Sequence, residues 1–201
     1  MDKLDIRPWR LRVSVVMPVY NEVARVRTAI EQVREVPLNI ELVCVDDGSK
    51  DGTRDILLEL ERERKIEKLV FQPHNQGKGA AVRTGIQAAT GDVIVIQDAD
   101  LEYDPQDILV LLQPIESGKA DAVFGSRFLG GPHRVLYFWH RVGNGVLTLI
   151  SNMFTDLNLT DMDTCYKMVR RDLMQSLPLK TNRFGIEPEL TARLAQAHAR
   201  I

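Results

Sequence analysis

The feature that most constrains this chain is the repeated alternation of short, apolar, β-branched runs with segments of helical period. Residues 12–19 (RVSVVMPV), 40–46 (IELVCVD), 67–72 (EKLVFQ), 92–97 (DVIVIQ) and 120–125 (ADAVFG) each have the length and composition of a buried strand. Between them, Val23, Val26, Ile30 and Val33 recur at helical spacing over 22–35. Ile56, Leu57 and Leu60 share one face of a helix over 53–64, with Asp51 or Thr53 available as its cap. A helix of about 79–89 follows the loop PHNQGKG, and Pro105 opens another that runs to about 115. Strands apolar on both faces, alternating with amphipathic helices, require an α/β fold: a mostly parallel sheet with helices on both faces. After residue 128 the alternation stops. Residues 135–154 read as a helix rich in apolar and aromatic side chains, 163–170 as a short strand, and 187–199 as a helix with Leu190, Leu194 and Ala197 on one face. No linker or repeat divides the chain, so residues 1–201 are expected to form a single domain.

Sheets of this kind bind ligands outside the carboxyl ends of their strands, and the chemically suggestive residues fall there. The first strand runs into Pro18, Tyr20, Asn21 and Glu22; the second into Asp46, Asp47, Gly48 and Ser49; the fourth into Asp98, Ala99 and Asp100; the fifth into Ser126 and Arg127. On an extended strand, residues two apart face one side, so Asp98 and Asp100 would aim two carboxylates at one point. Their repulsion calls for a counter-charge, and Mg²⁺ or Mn²⁺ with oxygen ligands supplies it, with Glu102 two residues further on. A solvated acidic loop is the plainer alternative. Asp46 or Asp47 suits a base-edge N–H or a ribose hydroxyl, or else an Asx-turn. Lys78 and Gly79, at the start of a helix behind Asn75-Gln76-Gly77, favour an anion, although a Gly-rich turn explains them equally well. The motifs GxxxxGK[ST] and GxGxxG are absent. Arg127, with Arg141 nearby, could clamp a phosphate or form surface ion pairs. His133, Arg134 and His140 lie in the same stretch, and neither these histidines nor His198 has ligand spacing.

Charge and cysteine content narrow the class. A net charge of −2 does not suggest a nucleic-acid binder. The two cysteines, Cys44 and Cys165, lie far apart without CxxC spacing, which fits a reducing compartment. The N-terminal MDKLDIRPWRLR lacks an apolar signal core, and no run of 18 apolar residues is present. The expected location is cytoplasmic, with peripheral contact to a membrane face through 132–154 as one option.

Taken in order, VVMPVYNE, VDDGSKDGT, NQGKGAAVRTG, GDVIVIQDADLEYDP, FGSRF, DTCYKMVRR and FGIEPEL resemble the family 2 glycosyltransferases of the GT-A fold, from Val13 to about Leu194. DADLE and GSRF are most similar to the dolichyl-phosphate mannosyltransferase and bacterial polyprenyl-phosphate glycosyltransferase branch. The resemblance implies a nucleotide-sugar half over about 12–126 and an acceptor half over about 127–201. It implies metal-dependent, inverting transfer of a hexose from a GDP- or UDP-sugar to a polyprenyl phosphate at the cytoplasmic membrane face. Pro18, Tyr20, Glu22 and Asp47 would hold the nucleoside with Asp46 beside them, and Asn21, Gly48, Ser49, Lys78, Gly79 and Ala99 would complete the donor site. Asp98, Asp100 and Glu102 would hold Mg²⁺ or Mn²⁺ and the diphosphate, Glu102 standing where Gln or Ser is often found. Ser126, Arg127 and Arg141 would meet the acceptor phosphate. Catalysis would rest on Asp98, Asp100 and Arg127. An anionic phosphate needs no general base, whereas a saccharide hydroxyl would, and Asp163 is the carboxylate available for that. Transfer to a saccharide hydroxyl and non-catalytic nucleotide-sugar binding are the alternatives. Enzymes of the resembled branch continue past the point where this chain ends at Ile201, so a truncated C-terminus is part of the expectation.

Overall fold

Strand β1 (Val13–Val19) is the axis of the molecule, and its side chains feed two separate cores. The computed structural model describes residues 9–128 and 137–201. In chain order the remaining elements are α1 (Val26–Glu35), β2 (Ile40–Asp46), α2 (Thr53–Arg62), β3 (Lys68–Phe71), α3 (Lys78–Ala88), β4 (Val93–Ile96), α4 (Asp107–Glu116), β5 (Ala122–Phe124), α5 (Phe138–Thr155), β6 (Lys167–Arg170), α6 (Arg171–Ser176) and α7 (Ile186–Gln196). β1 pairs in parallel with β2, from Val13↔Ile40 to Val19↔Asp46, and with β4 from Val13↔Val93. β3 extends the parallel set beyond β2. Val13, Val15 and Met17 pack with Ile30 and Val33 of α1, Leu57 and Leu60 of α2, and Ile108 and Leu112 of α4. Val16 faces the other way, among Val82 and Ile86 of α3, Met174 of α6, and Leu190 and Leu194 of α7. Each such aliphatic side chain contributes about 1.5–3 kcal/mol on burial. Helices therefore cover both faces of a mostly parallel sheet.

Past β4 the sheet departs from simple alternation. Its order is β3-β2-β1-β4-β6-β5, and β6 lies antiparallel to both β4 and β5. The chain leaves β5, passes through α5 and re-enters the sheet at the end where β5 left it, running back antiparallel, so the expected fifth strand pairs with a returning strand rather than with β4. Boundaries shift for local reasons. The helix expected from residue 22 begins at Val26, behind a left-handed Asn21 (φ 54) and a turn. Gly52 (φ 98) occupies the cap position of α2, and Asp51 reaches past it to accept the Thr53 N–H at 3.0 Å. The helix expected over 135–154 runs from Phe138 to Thr155, where Asp156 turns left-handed; residues 135 and 136 lie outside the described residues. The strand expected over 163–170 shortens to β6, and α6 was not anticipated.

At the amino ends of the strands, Glu41 is a buried polar knot. Its carboxylate accepts hydrogen bonds from Ser14 Oγ, Thr90 Oγ1 and the N–H groups of Thr90 and Gly91, with Lys68 Nζ at 3.2 Å. Burial pushes the carboxyl pKa up, but the bonds from Ser14, Thr90 and Lys68 outweigh it and bring it down to about 2. A carboxyl depressed in the folded state stabilises above its unfolded value, and that contribution is lost as pH falls through the folded value. Unfolding free energy should therefore drop by about 3 kcal/mol on this account between pH 4.5 and 2. Urea unfolding across that range should show the drop in the native protein and a flattened profile in Glu41→Gln.

Candidate functional site

Because β1, β2 and β4 run in parallel, their carboxyl ends open on the same side. There they border a cavity of about 430 Å³ lined by Pro18, Tyr20, Glu22, Asp47, Lys78, Asp98, Ala99 and Asp100. Arg183 and Phe184 also line it, and sequence reasoning gave neither a role. A second cavity, of about 440 Å³, lies at the opposite ends of the strands. Charged groups on its wall pair with one another, as Asp121 does with Arg170 at 3.5 Å, and Arg200 closes on Asp121 at 2.8 Å.

Asp47 fixes one wall of the strand-end cavity. Its two carboxylate oxygens accept the Gln76 N–H at 2.7 Å and the Gly77 N–H at 2.8 Å. Gly48 follows with φ 76, and a Cβ there would stand 2.7 Å from the Asn75 nitrogen, so only glycine lets the two loops meet. Asn21 and Ser49 lace the ends of β1 and β2 together: the Asn21 N–H donates to Ser49 Oγ at 2.9 Å, and Asn21 Oδ1 accepts the Lys50 N–H at 2.9 Å. Asp46, expected beside a nucleoside, is fully buried instead. It pairs with Arg54 Nε at 2.6 Å and accepts the Ser49 N–H, so its position answers to the fold rather than to the cavity.

The Asp98–Asp100 pair reaches the cavity by a route other than strand alternation. β4 ends at Ile96, Ala99 and Asp100 lie in a turn, and Leu101 is left-handed at φ 64. The turn brings both carboxylates to the cavity wall. Asp100 accepts the Glu102 N–H at 3.0 Å, and Glu102 itself is exposed. Burial raises the Asp100 pKa, with the charges of Asp98 and Glu102 adding and the Glu102 N–H bond and Lys78 opposing. Glu22 is raised as well, first by burial, with Asp100, Asp51 and Asp98 adding and Arg25 opposing. The wall thus carries an excess of negative potential.

Lys78 is the cation set against it. Its ammonium stands 2.9 Å from Asp98 Oδ2 and 2.9 Å from Glu187 Oε1. Burial works against its charge, but the carboxylates of Asp98 and Glu187 outweigh burial and raise its pKa above the ordinary lysine range. Two close approaches bring these groups together. A Cβ on Gly77 would lie 2.4 Å from the Asn182 carbonyl oxygen, and one on Gly79 would lie 2.4 Å from that of Thr181. The Ala80 N–H closes the seam by donating to Asn182 O at 3.0 Å. Glu187 stands in FGIEPEL, but nothing local in that segment marks it as a partner of Lys78.

Ser126, Arg127 and Arg141 do not line this cavity. Arg127 donates through Nε and Nη2 to Asp161 at 2.8 and 2.9 Å, and Asn144 Nδ2 donates to the same carboxylate at 2.8 Å. Ser126 Oγ accepts the Phe128 N–H at 3.2 Å and the Thr160 hydroxyl at 2.9 Å. The guanidinium groups of Arg127 and Arg141 both flank the Phe128 ring, at 5.9 and 5.2 Å from its centre. Asp163 is exposed, and His133 and Arg134 lie outside the described residues.

A mostly parallel sheet with acids gathered at the ends of its first, second and fourth strands defines a GT-A-type α/β domain. Glucosyl-3-phosphoglycerate synthase from Mycobacterium tuberculosis, crystallised with Mn²⁺, uridine-diphosphate and phosphoglyceric acid, shares the fold. Its TM-score is 0.70 at 23% identity, over 92% of this chain and 65% of that one. The model of the glycosyl transferase family 2 matches residues 14–177, and the chain belongs to that family. It is 35% identical over 123 residues to a dolichol-phosphate mannosyltransferase of Pyrococcus furiosus, over 60% of this chain and 34% of that protein. It is 27% identical over 198 residues to an undecaprenyl-phosphate mannosyltransferase of Micrococcus luteus, over 95% of this chain and 81% of that one. A low-salt glycan biosynthesis hexosyltransferase of Haloferax volcanii is 31% identical over 86% of this chain, which spans 41% of its length.

If Asp47 pins the 75–79 loop, Asp47→Ala should lower stability by about 2–3 kcal/mol, because two amides lose a charged acceptor. Hydrogen exchange at Gln76 and Gly77 should accelerate well beyond that global loss, as resolved by native-state exchange.

Proposed function

We propose that this chain is the catalytic core of a metal-dependent, inverting hexosyltransferase that moves a sugar from a GDP- or UDP-sugar to a polyprenyl phosphate at the cytoplasmic face of a membrane. The observation that carries this reading is the gathering of Asp47, Asp98, Asp100 and Lys78 around one cavity at the carboxyl ends of parallel strands. Family membership supports group transfer from a nucleotide-sugar, and the dolichol-phosphate and undecaprenyl-phosphate relatives support a lipid phosphate acceptor. Pro18, Tyr20, Glu22 and Asp47 would border the nucleoside.

The donor set suits Mg²⁺ or Mn²⁺. Asp98 and Asp100 offer oxygen ligands, and the raised carboxyls of Asp100 and Glu22 mark a potential that a dication relieves. Among the described residues no three acidic, histidine or cysteine side chains form a cage for an ion, so further positions would fall to donor phosphate oxygens and water. Asp98 and Asp100 would hold the metal with Glu102 beside them, and when bound it supplies neutralisation of charge on the leaving diphosphate. Arg127, its Nε and Nη2 committed to Asp161, is held in one orientation and would present Nη1 to the acceptor phosphate, with Ser126 and Arg141 alongside. That phosphate is already anionic, so it attacks without a general base, from the face opposite the leaving group.

Contact with a lipid surface is supported by α5, which is built inside out. Its buried residues are the polar Asn144 and Thr148, while Phe138, Trp139, Leu149, Ile150, Met153 and Phe154 are 46% to 87% exposed. The helix contains no acidic residue, and its ionisable groups are His140 and Arg141. An apolar face carrying aromatic and basic residues suits the headgroup boundary of an anionic bilayer. No described helix is long and apolar enough to cross a membrane.

Nucleotide release should be measured across GDP- and UDP-sugars with Mg²⁺ or Mn²⁺, with and without a short polyprenyl phosphate. One nucleotide should be released in a lipid- and metal-dependent way, and Asp100→Ala should lower the rate at least a hundredfold, by order of magnitude. Metal-dependent nucleotide binding without a lipid response would redirect the acceptor to a saccharide hydroxyl. In vesicle sedimentation, Trp139→Ser with Phe154→Ser should weaken association with anionic vesicles by about tenfold or more, given the apolar area withdrawn.

A further inference from the structure

The Lys78 ammonium is shared evenly between Asp98 and Glu187, and the two carboxylates stand in different surroundings. Asp98 sits on the cavity wall, one residue away from Asp100 across Ala99. Glu187 belongs to the first turn of α7 and does not line the cavity. It is 9% exposed. Lys78 itself cannot drift far. It opens α3, and its two flanking glycines are seated on the carbonyls of Thr181 and Asn182. The position of Glu187 relative to Lys78 is therefore set by backbone packing, whereas Asp98 lies between the end of β4 and a turn that leads into left-handed Leu101.

We propose that Glu187 is a positioning residue that governs the affinity of the Asp98–Asp100 pair for a divalent cation, acting through Lys78. This rests on the metal-dependent reading above. With Asp98 engaged by Lys78, the ammonium competes with a dication for the same oxygen. When Asp98 turns to a dication, the ammonium is repelled by like charge and keeps Glu187 as its partner. Glu187 thus lets Lys78 release Asp98 without leaving a partly buried cation unpaired. Without Glu187, releasing Asp98 would strand the ammonium, and Lys78 would hold on to it.

The direction of each substitution follows. Glu187→Gln keeps the shape and removes the charge, so Lys78 clings to Asp98 and Mn²⁺ binding should weaken about tenfold, the scale of coupling between charges in one network. Lys78→Met removes the competitor, so Mn²⁺ should bind at least as tightly as in the native protein. In Lys78→Met/Glu187→Gln the effect of losing Glu187 should vanish, since its only route to the metal is gone. A merely structural Glu187 would weaken binding equally in both backgrounds.

The test is a Mn²⁺ titration followed by electron paramagnetic resonance, without sugar donor and again with the nucleoside diphosphate, on the native protein, the two single variants, the double variant and Asp100→Ala. Weakening in Glu187→Gln that disappears in the Lys78→Met background supports the proposal. Equal affinity in the native protein and Glu187→Gln, or the same loss in both backgrounds, overturns it, while loss of binding in Asp100→Ala would leave the metal reading standing. Absence of Mn²⁺ binding by the native protein, even with nucleotide, overturns both. Glu187→Asp, expected to restore part of the affinity, guards against a folding defect in the Gln variant.

Discussion

The two hydrogen bonds from the Gln76 and Gly77 amides to the Asp47 carboxylate are the contact on which the arrangement of the site depends. They tie the end of β2 to the loop before α3, and so decide where α3 begins. From there, Lys78 reaches the turn after β4, and Gly77 and Gly79 seat the 181–183 backbone that leads into α7. A carboxylate accepting two backbone N–H groups is a strong and directional junction. Three segments remote in sequence take their relative positions from it, and the cavity lies where they meet.

The first two thirds of the fold were legible because the information there is local. β1 to β4 and α1 to α4 follow from apolar runs and helical spacing that any short window contains. The insertion of β6 between β4 and β5 was not, because antiparallel pairing of Val93 with Arg170 leaves no mark within either strand. The cavity residues Pro18, Tyr20, Glu22, Asp47, Asp98, Ala99 and Asp100 were found from strand-end position and Lys78 from the helix start behind a Gly-rich loop, and all of them line one cavity. Strand alternation was nevertheless the wrong account of how Asp98 and Asp100 arrive, since a turn carries them. What remained hidden were the partners. Arg54 for Asp46, Asp161 for Arg127 and Glu187 for Lys78 are each ordinary charged residues in sequence, and only tertiary packing couples them.

The end of β5 is organised differently from the strand-end cavity. Asp161 is buried with Arg127 and Asn144 around it, and the pairing lowers its pKa although burial raises it. Because Asn144 belongs to α5, this polar group joins that helix to the end of β5. A helix that docks through Asn144 and Thr148 turns its apolar side chains outward by necessity. The buried Asp161 network and the exposed Phe138–Phe154 surface are thus two aspects of one packing choice.

The placement of β6 also sets an order of assembly. During synthesis β1 to β4 and their helices emerge as a complete parallel unit, each strand finding its neighbour among residues already made. β5 emerges next but has no place on that unit, because the strand it pairs with is β6 and follows α5. Until residues 167–170 arrive, the outer edge of β4 is an unpaired strand edge, the kind that recruits other chains. The interval between β4 and β6 is therefore a stretch of synthesis in which a sheet edge stands open, and the parallel unit pairs its strands before β5 and β6 can close the sheet.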